Sequence, residues 1–225
     1  MGSNSADRDH RSFLVVFGRL ANLPSEGVPY PILVCAAMLP WQFFASAFAE
    51  SGNSLISNTN LISKIYFSRL IIPASAIIVS LVDFLISFAV LAGLMLWYGV
   101  FPNWRILTLP AFVLIAFAAA MGAGLWIAAL NVKYRDFRHL IPFIVQIGLF
   151  ISPVGFSSMI VPEQWRLLYS MNPMVGVIDG FRWAILGSAS LYWPGVVLSL
   201  LLVALILFTG FAYFRRTERT FADII

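Results

Sequence analysis

The chain has 225 residues, of which 60% are hydrophobic, 15% aromatic and only 11% charged. A water-soluble domain carries about 25% charged residues, so this composition excludes an ordinary soluble enzyme and leaves an all-α polytopic membrane protein. A net charge of +4 in such a chain belongs to membrane-flanking loops rather than to a nucleic-acid surface, and the lone Cys35 makes no internal disulfide and joins no metal-ligating cluster.

In chain order, Met1 to Ser12 is polar and charged, and the apolar piece Phe13 to Phe17 is too short to span a bilayer or to act as the apolar core of a signal peptide. Five apolar runs follow that are long enough to be read as spans: Pro31 to Ala49, Leu70 to Tyr98, Leu107 to Leu130, Leu140 to Ile160 and Pro194 to Phe214. The fourth is interrupted by Pro142 and by Ser152-Pro153, which predicts a broken helix lining a cavity. Between the first two spans, Asn53 to Arg69 mixes polar residues with Leu55, Ile56, Leu61, Ile62, Ile65, Tyr66 and Phe67, which fits either a short amphipathic helix or an ordinary loop. Pro162 to Gly187 is amphipathic, with Trp165, Arg166, Tyr169, Asp179, Arg182 and Trp183 spaced along it, and is expected to form interfacial or re-entrant helices.

Lys64, Arg69, Lys133, Arg135, Arg138, Arg215, Arg216 and Arg219 all fall on one side of this arrangement. The positive-inside rule therefore places the C-terminus in the cytoplasm, and five spans then place the start of the chain outside. Trp41, Trp97, Tyr98, Trp104, Trp165, Trp193 and Tyr213 stand at the predicted borders, where aromatic rings collect. Asp83 is the one charged residue within the five runs. An ionisable group at that depth is costly; the expectation is that it bonds to polar groups of a neighbouring helix or faces an aqueous path, since no Lys, Arg or His at similar depth supports a proton relay.

Six blocks carry a resemblance: GVPYPILV (Gly27 to Val34), NSLISNTNLISKIYFSRLIIP (Asn53 to Pro73), LNVKYRDFRHLIPFIVQ (Leu130 to Gln146), SPV (Ser152 to Val154), NPMVGVIDGFRWAILG (Asn172 to Gly187) and FRRTERTFADII (Phe214 to Ile225). Together, in this order, they resemble the membrane subunits of type-2 ABC exporters for polysaccharides and polyol phosphates, such as O-antigen, capsule and teichoic acid permeases. The resemblance covers nearly the whole chain from Phe13 onward and makes residues 13–225 a permease domain. It implies a half-transporter in the bacterial cytoplasmic (inner) membrane. Two copies form the path for a lipid-linked glycan, and two separate ABC ATPase subunits bind ATP and Mg. The chain itself needs no cofactor, and it has no GxxxxGK[ST] phosphate loop.

The same resemblance implies roles for particular residues. Leu61, Lys64, Tyr66, Phe67 and Arg69 belong to a coupling helix docked in a groove of the ATPase, and the tail from Arg215 to Ile225 lies near that partner. Tyr134, Arg135 and Asp136 form a cytoplasmic gate or salt-bridge network, although positive-inside topology alone also explains the cations. Asn172, Pro173, Asp179, Phe181, Arg182 and Trp183 form an outer gate of two re-entrant helices broken at Asn172-Pro173, with Asp179 and Arg182 spaced to pair on one face; relatives tend to carry glutamate at the Asp179 position. A plain interfacial helix anchored by Trp183 is the simpler account of that segment. Met1 to Ser12 stands where the family has most of its first span, so the expectation is that this chain alone transports poorly and that restoring an apolar N-terminal span recovers export.

Two other classes fit less well. A secondary transporter or channel calls for paired intramembrane charges, inverted repeats or a filter motif. A membrane-embedded glycan-modifying enzyme calls for convergent acid, base or metal groups, and His10 and His139 lie far apart and outside the spans.

Overall fold

The structure is a computed structural model, and it describes residues 30–64, 68–101, 103–134, 136–187 and 191–218, with the side chains of residues 30 and 62–64 left out of that description. Among these residues there is no β-strand. The helices are α1 (Tyr30–Ser57), α2 (Thr59–Lys64), α3 (Ile71–Trp97), α4 (Leu109–Lys133), α5 (Phe137–Ile151), α6 (Glu163–Tyr169), α7 (Pro173–Leu186) and α8 (Trp193–Thr217). A short 3-10 turn, Trp104–Thr108, leads into α4.

Four of these, α1, α3, α4 with its leading turn, and α8, are long and apolar enough to cross a membrane. The expected fourth span differs from the rest. Its helix ends at Ile151 after 15 residues, about 22 Å at the usual rise, against a hydrocarbon core of about 30 Å. Pro142 does not break it, since the helix runs through that residue. The break falls at Ser152, which is extended at φ −86° and ψ 149°, because a residue before proline is pushed out of the helical region.

The first span is longer than its apolar run. α1 continues past Ala49 to Ser57 through a stretch whose polarity reads as a loop. Its polar side chains fold back on the helix: Asn53 Nδ2 donates to the Ala49 carbonyl at 3.0 Å, Ser54 Oγ to Ser51 at 2.7 Å, and Asn58 Nδ2 to Ser54 at 2.8 Å. Such bonds let polar residues ride on a helix while Leu55 stays fully buried. The amphipathic segment expected from Asn53 onward is therefore split between the end of α1 and the separate short α2.

α1 is the central helix. Its apolar window is 56% buried, against 22% for α3 and for α8, and it packs on α3, α4, α5 and α7. At one end of the bundle Leu55, Ile72, Leu125, Val132 and Phe214 cluster, joining the C-terminal ends of α1, α4 and α8 to the start of α3. The opposite end and the middle hold a larger core in which Phe84 meets Phe181 edge-on at 6.0 Å.

The α4–α8 contact is made backbone to backbone, as expected where lipid removes the hydrophobic drive for association and close packing must replace it. A Cβ on Gly122 would stand 2.6 Å from Leu207 Cα, and one on Gly210 would stand 2.3 Å from the Gly122 carbonyl oxygen. Beside this α4–α8 crossing Trp126 stacks on Tyr213 at 4.4 Å and its Nε1 donates to Thr209 Oγ1 at 3.2 Å. A Gly122→Val variant must force the two backbones apart, at a cost of about 1–3 kcal/mol or more. A lower melting temperature in detergent is expected, whereas Gly93→Ala, with nothing within 4 Å of its added Cβ, should melt like the parent. Equal melting of parent and Gly122→Val would show that the crossing is not tight.

Candidate functional site

Residues singled out in the sequence fall into three places. At the end of the bundle where α1, α4 and α8 finish, Leu61 is exposed on α2. Arg69 is half-buried at the start of α3, and its guanidinium donates to the Glu218 carbonyl at the end of α8. The coupling segment and the C-terminal tail are thus neighbours. Tyr66 and Phe67 lie outside the described residues, as does the side chain of Lys64. Nearby, Lys133 Nζ sits 5.1 Å from the ring centroid of Tyr134, which in turn tilts against Phe137 at 6.0 Å. Tyr134 adopts an extended conformation that ends α4, and exposed Asp136 precedes α5 without capping it through its side chain. Arg135 lies outside the described residues.

The second place is the α6–α7 hairpin. The helices break at Asn172-Pro173: the Asn172 carbonyl oxygen Oδ1 accepts from the Met174 amide at 3.0 Å, and Pro173 fills the first turn, where no N–H is required. Asn172 Nδ2 also donates to Ser152 Oγ at 3.0 Å. Arg182, only 4% exposed, donates to the Val154 carbonyl at 2.9 Å and to the Phe156 carbonyl at 2.6 Å. Arg166 holds the next part of the same loop, donating to Val161 at 3.0 Å and Met159 at 3.1 Å. Two arginines and an asparagine therefore fasten residues 152–161, which follow the break in α5, to the hairpin. Tyr169 tilts against Phe156 at 6.4 Å. Burial pushes its phenol pKa up, the Asp179 carboxylate adds to the rise, and the Arg182 guanidinium offsets part of it, so Tyr169 stays protonated.

The sequence reading missed Arg105, whose guanidinium donates to the Gly187 carbonyl at 2.6 Å and lies 5.0 Å from the Trp183 ring centroid. Gly187 ends α7 in the left-handed region at φ 68°, so Arg105 places a cation on the negative end of that helix. Trp183 packs edge-on against Trp193 at 6.2 Å. Phe181, on α7, is buried against Phe84 of α3.

The third place is a groove of about 410 Å³ between α1, α3 and α5, lined by Trp41, Gln42, Phe43, Ser46, Ser80, Asp83, Phe84 and Ser87 among others. Ser46 and Ser80 bond each other across it at 3.3 Å. Asp83 is exposed and lines the groove, and it makes no bond to a neighbouring helix among the described residues. Its companions were not singled out from the sequence, although Gln42 and Ser46 are spaced i, i+4 and Ser80, Asp83 and Ser87 share one helical face. On the other side of α5, Trp41, Phe44, Phe143, Ile144, Ile147 and Ile151 line an almost wholly apolar hollow.

The loop latch is testable. Removing the Arg182 guanidinium breaks two charge-assisted bonds worth about 1.5–3 kcal/mol each. In an Arg182→Met variant, amide hydrogen exchange of residues 154–161 should accelerate at least about tenfold with α8 unchanged. An unaltered loop would show that the arginine does not hold it.

The model of the ABC-2 type transporter family matches residues 12–186. An O-antigen export system permease protein RfbA of Myxococcus xanthus is 26% identical over 163 residues, covering 72% of this chain and 61% of that protein, which is under two thirds of its length. A protein of the same name from Klebsiella pneumoniae is 24% identical over 207 residues, covering 87% of this chain and 76% of the relative. The polysialic acid transport protein KpsM of Escherichia coli is 26% identical over 215 residues, covering 91% and 80%. With more than half its length matched and several helices of membrane-crossing length, the chain belongs to the ABC-2 type transporter family of multi-pass membrane proteins.

Proposed function

We propose that this chain is the permease subunit of an ATP-driven exporter that carries a lipid-linked polysaccharide or polyol phosphate across the bacterial cytoplasmic membrane. The observation that carries the proposal is the family match together with relatives named for O-antigen export and polysialic acid transport. In this reading two copies form the path, and a separate ABC ATPase binds ATP and Mg and drives it. Whether the cargo is O-antigen, capsule or teichoic acid follows from the glycan the cell makes, not from the residues discussed so far.

The three places then acquire roles. The end bearing Lys133, Arg138, Arg215 and Arg216 faces the cytoplasm, in line with positive-inside topology. There, Leu61, Lys64, Tyr66, Phe67 and Arg69 meet the ATPase, and the contact of Arg69 with the end of α8 lets the tail respond to that meeting. Tyr134, Arg135 and Asp136 line the cytoplasmic entrance. At the other face, Asn172, Pro173, Asp179, Phe181, Arg182 and Trp183 belong to the outer gate, whose loop is latched by Arg166 and Arg182.

Leu61 offers a clean test, because it is exposed and stands outside the core clusters. A Leu61→Asp variant buries a charge in the proposed ATPase groove. Co-purification of the ATPase subunit should fall at least about tenfold, with the permease level in the membrane unchanged. Retention of the ATPase at the parent level would remove α2 from the interface, and absence of any co-purifying ATPase with the parent chain would overturn the exporter reading.

A further inference from the structure

We infer that the α1–α3 groove is a binding site for hydroxyl groups of the transported glycan, with Asp83 and Gln42 as its principal hydrogen-bonding groups; the inference rests on the export reading above. Both residues lie near the middle of their helices, twelve or more residues from either end. Polar groups at that depth have no water to bond unless they face a cavity, and they are costly unless they bond something.

The smaller polar residues of the groove are already satisfied. Ser46 and Ser80 bond each other, Ser80 also donates to Ala76, and Ser87 donates to the Asp83 carbonyl oxygen of the backbone. The Asp83 carboxylate and the Gln42 amide have no such partner among the described residues, yet both line the same hollow. A second hollow of about 220 Å³ shares Met38, Leu39, Gln42 and Ser87 with the first and extends it to Cys35 and Leu94. The resulting trough follows α1 from Ser46 to Cys35, about 16 Å at the helical rise.

The chemistry of this trough matches a polyhydroxylated chain. A carboxylate accepts two hydroxyl donors with charge-assisted strength, and a primary amide donates and accepts at once, as neighbouring sugar hydroxyls require. Trp41, Phe43 and Phe84 form the apolar walls beside these groups, but each is at most 5% exposed, so the recognition rests on the carboxylate and the amide. A bare cation is the competing occupant of a carboxylate flanked by hydroxyls. It is less well served here, because Ser46 and Ser80 are engaged with each other, Ser87 with a backbone carbonyl, and the walls are apolar.

Two measurements in living cells decide the matter. In a Cys35→Ser background that keeps Asp83 and Gln42, Ser87→Cys in the groove is labelled with a membrane-impermeant, charged thiosulfonate in a strain that makes the exported glycan and in one blocked in its first glycosyl transfer. Labelling is expected in both, and slower by at least about tenfold in the glycan-producing strain, whereas Ile78→Cys on the opposite, exposed face of the same helix should show no glycan dependence. Equal labelling rates at position 87 in the two strains overturn the site, whatever the export result.

Export is then compared at equal membrane levels in Asp83→Asn and Asp83→Leu. The asparagine, which still accepts from hydroxyls, should retain a substantial part of export, and the leucine should lose at least about tenfold. If asparagine loses as much as leucine, acceptance from hydroxyls is not what position 83 supplies, and the inference fails. If leucine exports like the parent, the groove is not on the path. Surface glycan in cells carrying the parent chain, and its loss without the chain, reports separately on the export reading itself.

Discussion

Everything in this molecule follows from the absence of water around its helices. In lipid, side-chain burial gains little for one helix against another, and what fastens them is the closeness with which backbones meet. Gly122 and Gly210 meet with no room for a side chain on either. At other crossings a glycine instead seats a neighbour's side chain: Ser51 on Gly124, Ser199 on Gly176 and the Phe112 ring on Gly180. These glycines let α1, α4, α7 and α8 approach one another closely.

The same constraint explains how the polar groups are spent. Asn131, wholly buried, donates to the Gly52 carbonyl at 2.7 Å and ties α4 to the end of α1. Arg182 and Arg166 are spent on carbonyls of the loop after α5, and Arg105 on the end of α7. Each satisfies backbone that left a helix, as a non-aqueous setting demands. Asp83 and Gln42 stand out against this economy. They are strong hydrogen-bonding groups at mid-depth that no helix neighbour uses among the described residues, which is the ground for proposing that they meet the cargo.

Much of the fold was legible because hydropathy measures what the bilayer selects. Runs ending near Tyr98, Leu130 and Phe214 became α3, α4 and α8 with small shifts in their ends. The misjudged borders had local causes that hydropathy does not measure. Asn53, Ser54 and Asn58 look like loop residues until their side chains are seen bonded to the preceding turn. Pro142 looks like a breaker but lies within α5 without ending it, while Pro153 acts through Ser152. At the sites, residue types signalled Asp83 and the Asn172-Pro173 break. The targets of Arg105, Arg166 and Arg182 are backbone carbonyls, which every sequence has everywhere, so only the fold could identify them.

The account as a whole turns on cargo and direction. The most direct measurement is the fate of glycan in cells from which this chain is deleted, followed by fractionation of lipid-linked glycan between the cytoplasmic and outer faces of the membrane. The account predicts that a single class of lipid-linked polysaccharide or polyol phosphate accumulates on the cytoplasmic face and disappears from the cell surface, with its synthesis intact. Normal surface glycan with no internal accumulation would contradict it.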